Sequence, residues 1–158
     1  MKISYVVTLV TILFTLSVSS CSKKSDDIAP APTQDTVDFK VNVDGQAYTP
    51  DYAYALATFP GANGYFAIYG LDSKTSDVVA LALPSTATEG TYLLSNVNIG
   101  ILTINKEDFA TVNGGTGSIT ITKKTDKYMT GTFSFTAYDA SGTKKRALTE
   151  GSFNVNIR

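Results

Sequence analysis

The chain has 158 residues, 13 Lys+Arg against 14 Asp+Glu, one Cys, no His and no Trp. The balanced charge gives no field to recruit nucleic acid. Without His, no Ser-His-Asp or Cys-His arrangement exists and the commonest general base is missing. Zinc or copper sites built on His or several Cys are excluded, as is an intramolecular disulfide.

The first residues read as an export segment. Met1-Lys2 is a short positive start, and Ile3–Val18 is apolar with scattered Ser and Thr and no charge. That run is shorter than the roughly 20 residues of a comfortable membrane span and suits a signal peptide. It ends Val18-Ser19-Ser20-Cys21, which resembles a lipobox: an aliphatic residue, two small ones, then Cys. Residues 1–20 are therefore expected to be a signal peptide, with Cys21 the first mature residue and the site of lipid attachment. Each buried CH₂ contributes about 0.8 kcal/mol, so two or three acyl chains hold a protein durably on a membrane.

Residues 21–36 form the expected lipidated N-terminus and tether. Ser22 after the Cys, instead of Asp, favours the outer membrane, and Lys23-Lys24-Ser25-Asp26-Asp27 resembles a surface-export signal. Ile28–Asp35 is rich in Pro and Ala and reads as an extended tether, with a reach of roughly 20 Å if flexible.

From Thr36 onward the apolar period is close to two. Val37, Phe39, Val41 and Val43 share one face of a first strand, and Asp44-Gly45 signals a tight hairpin. Further strands are expected at 46–49, 52–59 and 65–69, the last with Phe66 and Ile68 on one face and Tyr65, Ala67 and Tyr69 on the other. Val78–Leu83 is almost continuously apolar, as a central strand would be. Thr91–Leu94 follows, and Asn96–Ala110 reads as one or two short strands around a turn. Thr116–Lys123, Tyr128–Tyr138, Lys144–Thr149 and Gly151–Ile157 complete nine or ten strands. No segment supports a long amphipathic helix. The fold class is all-β, an antiparallel sandwich or partly closed barrel over residues 37–158.

Gly115–Thr122 (GTGSITIT), Gly131–Ala137 (GTFSFTA) and Thr149–Val155 (TEGSFNV) resemble the closing strands of an uncharacterised β-domain family of Bacteroidetes lipoproteins. Phe39–Gly45 and Gly90-Thr91-Tyr92 are similar to its earlier blocks. The resemblance implies a lipid-anchored β domain of unknown role and no particular activity.

Candidate chemistry is sparse. Asn113–Gly117 looks like a phosphate loop, but a strand follows it where a phosphate loop needs a helix. Asp72–Asp77 offers two carboxylates and three hydroxyls without an EF-hand pattern, and Lys74 adds a repelling charge. Glu89, Glu107, Asp108 and Glu150 are the carboxylates a glycosidase would need in pairs. Glu107 and Asp108 would face opposite sides of a strand, and nothing brings any two of the four together. The basic turns at Lys123-Lys124 and Lys144–Arg146 read as solvated hairpin ends. Tyr52, Tyr54, Tyr65 and Tyr69 are the candidate ligand-binding residues, because rows of Tyr combine a flat apolar face with a polar tip. The expectation is a non-catalytic binding or structural module at the outer membrane or cell surface. It would bind a glycan or another envelope protein and use no metal or cofactor. A surface-polysaccharide hydrolase and a small-ligand carrier in a hollow barrel are the competing readings.

Overall fold

The computed structural model describes residues 38–158. The signal segment, Cys21 and the tether lie outside the described residues. The strands are β1 (Asp38–Val43), β2 (Gln46–Tyr48), β3 (Tyr52–Leu56), β4 (Tyr65–Leu71), β5 (Val78–Pro84) and β6 (Gly90–Leu94). They continue as β7 (Ile99–Ile104), β8 (Glu107–Ala110), β9 (Gly117–Lys124), β10 (Tyr128–Tyr138) and β11 (Lys145–Asn156), with one 3-10 turn at Thr111–Asn113.

All eleven strands join one antiparallel hydrogen-bonded network in the order β2-β1-β11-β10-β8-β7-β5-β4-β3, which does not close into a barrel. β6 and β9 extend it beside β10. The network bends where β10 passes from β9 to β8, at the single pair Tyr138–Ala110. Two halves result, β2-β1-β11-β10-β9-β6 and β8-β7-β5-β4-β3. Their inner faces meet. The Phe39 ring of β1 lies over Gly70 of β4, and the Phe135 ring of β10 lies over Gly100 of β7. A sandwich is therefore the observed alternative.

The alternating residues build the core as period two requires. Phe39, Val41 and Val43 pack with Phe66, Ile68, Val79, Leu81 and Leu83 from the other half. Phe133 is tilted against Phe39, with centroids 5.4 Å apart, and against Phe153, 6.4 Å away. Burying each such aliphatic or aromatic side chain contributes about 1.5–3 kcal/mol. The described residues fall within one compact unit, and the core side chains named here belong to it. Tyr48 adds a polar tie between the halves. Its hydroxyl donates to the carbonyls of Asp77 (2.9 Å) and Gly70 (3.3 Å), and burial raises its pKa above the ordinary phenol value.

The strands differ from the sequence expectation in two places, and one stretch that it left open is resolved. The span expected over 52–59 ends at Leu56, because Ala57 N–H turns to the Arg158 carbonyl, 3.2 Å away. The ambiguous stretch 96–110 is a two-stranded hairpin, β7–β8, whose turn residues Asn105 and Lys106 both have positive φ. Two expected C-terminal strands are one continuous β11. At its middle, Thr149 and Glu150 together oppose Ser134, and Glu150 takes φ 56. The extra residue is absorbed as a β-bulge. Gly151 follows because a Cβ there would lie 2.7 Å from the Phe133 ring. The network has eleven strands, against the nine or ten expected.

Candidate functional site

The two outer faces of the sandwich differ chemically, although Leu93 stands 73% exposed on the first of them. The face of β1-β11-β10-β9-β6 displays Asn42, Ser152, Thr132, Ser134, Thr120 and Thr91, among others, and its hydroxyls pair across strands. Thr91 meets Thr120 at 2.9 Å, and Thr122 meets Thr130 at 2.8 Å. That is the polar row expected on a solvated antiparallel sheet.

The outer face of β3-β4-β5-β7 is different. Tyr52–Leu56, Tyr65–Leu71, Val78–Pro84 and Ile99–Ile104 contain no charged residue. Their inner row belongs to the core. Their outer row is also apolar apart from the Tyr hydroxyls and Thr103, whose hydroxyl donates to Asp108 at the β8 edge. Register places Tyr52 opposite Leu71, Tyr54 opposite Tyr69 and Leu56 opposite Ala67, then Ala67 opposite Ala82 and Ala80 opposite Ile101. Ala67, Ala80 and Ala82 are buried yet stand outside the core cluster. They form a floor of small side chains between the larger Tyr69, Leu56, Ile99 and Ile101.

All four candidate tyrosines lie on this face, but the structure brings only Tyr54 and Tyr69 into contact. Tyr54 and Tyr69 are stacked, with centroids 5.3 Å apart and planes at 29°. The Arg158 guanidinium sits 5.0 Å from the Tyr54 centroid. Burial, with a smaller contribution from Tyr54, raises the Tyr69 pKa. Tyr52 stands at one end of the strip and is 54% exposed. Tyr65 stands at the other end, opposite Pro84. Six residue steps along β4 separate the Leu71 and Tyr65 levels, about 20 Å at the usual rise.

The four carboxylates occupy separate surroundings. Glu89 accepts from the Lys124 backbone N–H at 3.2 Å, and Glu150 accepts from Asn42 at 2.9 Å. Glu107 pairs with Lys144 and reaches Arg146 at 3.8 Å, while Asp108 accepts from Thr103 at 2.7 Å. Glu107 and Asp108 thus point to opposite sides of β8. Arg146 also meets Asp44 at 3.0 Å and covers the Phe109 ring, so the second basic turn is partly engaged in closing an end of the sandwich.

The other two loops resolve into turn chemistry. Asp72 accepts from the backbone N–H groups of Lys74 (2.8 Å) and Thr75 (3.2 Å) within its own turn. Asp77 accepts from Asn105 N–H at 2.9 Å. Among the described residues, no group of three or more acidic, His or Cys side chains could hold a metal. Gly114 has φ 99 and closes the 3-10 turn, and a Cβ on Gly115 would lie 2.1 Å from the Thr136 carbonyl. The Gly-rich segment packs on β10 and enters strand β9.

Sequence reasoning identified the tyrosines but missed the aliphatic half of the face: Leu56, Leu71, Val78, Ile99 and Ile101. The unbroken apolar run of β5 was the available signal. It fits a strand covered on both sides or one with an apolar outer face, and only strand pairing separates the two. Lys124, discussed below, was also passed over.

Residues 35–156 match the family model described as domain of unknown function DUF6252. No curated protein and no solved structure matches the chain.

Proposed function

We propose, for a chain that belongs to the DUF6252 family of domains of unknown function, that it is a lipid-anchored, non-catalytic binding module of the outer membrane or cell surface. Its anchor is lipid on Cys21, and its working surface is the outer face of β3-β4-β5-β7, whose strands contain no charged residue. The residues that resemble a lipobox support the anchor. The observation that carries the binding reading is the contrast between the faces. One solvated face is lined mainly with Ser, Thr and Asn and carries the single exposed Leu93, while the other bears a continuous apolar row with Tyr at both ends.

The size of the strip suggests the partner. Four strands at about 4.8 Å spacing and a length of about 20 Å give roughly 300–400 Å². A stable interface between folded proteins takes about 800 Å² from each partner. The strip fits one strand or helix of another envelope protein, with an apolar, uncharged contact row. A glycan is the weaker fit, because a sugar stacks on a free ring face. Tyr54 has Tyr69 on one side and the Arg158 guanidinium beside it.

Two experiments test this reading in the native host. Cys21→Ser is expected to move the protein out of the membrane fraction and abolish palmitate labelling. A photo-crosslinking residue at Tyr52 is expected to give one discrete protein adduct, and the same residue at Thr132 on the hydroxyl face none. Identical adducts from both positions, or none from Tyr52, would overturn the binding surface.

A further inference from the structure

A second feature lies at the end of the sandwich where β3 finishes, β4 begins and β9 turns into β10. An apolar pocket of about 130 Å³ opens there. Leu56, Phe66, Met129 and Ile157 line it, and its polar groups are Ser85 and Lys124. Ser85 and Lys124 also line an adjoining open cleft of about 510 Å³, shared with the Thr86–Glu89 loop and the Thr125-Asp126 turn. The two spaces therefore share Ser85 and Lys124.

The ammonium is held in place without being neutralised. Lys124 Nζ donates to the Ala87 carbonyl at 2.6 Å and lies 4.4 Å from the Phe66 centroid. Neither contact carries a full negative charge. Among the described residues, the ion pairs within 4.0 Å involve Lys40, Lys144 and Arg146, and Lys124 is in none of them. An ammonium has three donors, so capacity remains for an acceptor at the pocket mouth. A single cation over an apolar recess, with Ser85 in the same lining, is the arrangement that orients an amphiphilic anion.

We propose that this pocket binds a small monocarboxylate with a short, unbranched apolar tail. The carboxylate sits on Lys124 Nζ and the Ser85 hydroxyl, and the tail lies against Phe66, Met129 and Ile157. Size sets the tail length. An apolar cavity of about 150 Å³ accepts a six-carbon ring, so the recess takes a tail of about four carbons. The site does not rest on the outer-face reading, because none of the four tyrosines lines it.

The test exploits composition. The chain has two methionines, Met1 and Met129. In the chain from Ser22 onward, a methyl-¹³C label on Met129 reports on the pocket wall alone once the start Met is assigned. Sodium pentanoate is expected to shift that signal saturably, with a midpoint in the millimolar range suited to so few atoms. Pentanamide, which has the same shape and no charge, is expected to bind about tenfold more weakly, since charge-assisted hydrogen bonds are the stronger ones. Lys124→Gln is expected to remove the difference between the two. An unshifted Met129 methyl, or equal midpoints for pentanoate and pentanamide, overturns the proposal. The comparison of the two ligands on the unmodified chain stands even if the variant fails to fold.

Discussion

Gly70→Ala is expected to damage the join between the two halves of the sandwich, and Phe39→Leu to relieve that damage. A Cβ on Gly70 would stand 2.6 Å from two Phe39 ring atoms and 2.9 Å from a third. The ring cannot simply retreat. Phe39 is 2% exposed and is backed by Phe133 with centroids 5.4 Å apart. Overpacking of this kind costs about 2–3 kcal/mol. At about 4 °C per kcal/mol for a domain of this size, Gly70→Ala lowers Tm by about 8–12 °C. Phe39→Leu alone removes ring atoms from a filled core and costs about 1–2 kcal/mol. In the double variant the shorter Leu leaves room for the new methyl. The combined loss is then smaller than the sum by at least about 1 kcal/mol, as expected for residues in contact. Urea unfolding followed by circular dichroism, on the chain from Ser22 onward, measures all four species. Losses that add to within about 0.5 kcal/mol would refute the placement of Phe39 over Gly70, and with it the facing of β1 against β4.

Tyr48→Phe keeps the ring and removes the hydroxyl that ties β2 to the Gly70 and Asp77 carbonyls. It is expected to cost about 1–2 kcal/mol in the same assay. Acid is expected to loosen the exposed turns first. The Ser141 hydroxyl and the Lys144 N–H hold the Asp139 pKa below its ordinary value, and the Ser73 hydroxyl does the same for Asp51. A depressed folded pKa stabilises the folded state above the unfolded value and loses that effect as pH falls through the folded one. Amide-exchange protection at Thr143 and Lys144 should therefore decline below about pH 4, and Asp139→Asn should remove that pH dependence. Gly115→Ala is expected to cost about 2–3 kcal/mol, because the new methyl collides with the Thr136 backbone carbonyl and no side chain can yield.

The alternation of Phe39-Val41-Val43, Ile119-Ile121, Phe133-Phe135 and Phe153-Val155 was enough to locate the strands and assign their buried rows. Asp44-Gly45 was enough to place the first hairpin. What sequence could not supply was pairing. The joining of the last two strands depends on a bulge at Glu150, and the local cue, a Gly after an acidic residue, reads equally well as a turn. The Asn105-Lys106 turn was obscured because Lys rarely takes a positive φ. The candidate face suffered from the same gap. Tyr52, Tyr54, Tyr65 and Tyr69 were visible as a cluster. Their union with Leu71, Val78 and Ile101 into one apolar surface follows from the β3-β4-β5-β7 order, which a single sequence does not contain. Lys124 reads as one more charge in a basic turn, and its position over Phe66 is a tertiary fact.

The surface assigned to binding can be examined without knowing the partner. Hydroxyl-radical footprinting compares Tyr52 and Tyr65 in the purified protein and in native membranes, with Phe133 as the buried reference. If the outer face of β3-β4-β5-β7 is occupied in the envelope, modification of Tyr52 and Tyr65 falls severalfold in membranes while Phe133 stays low in both. Equal modification of the tyrosines in the two preparations would contradict the account.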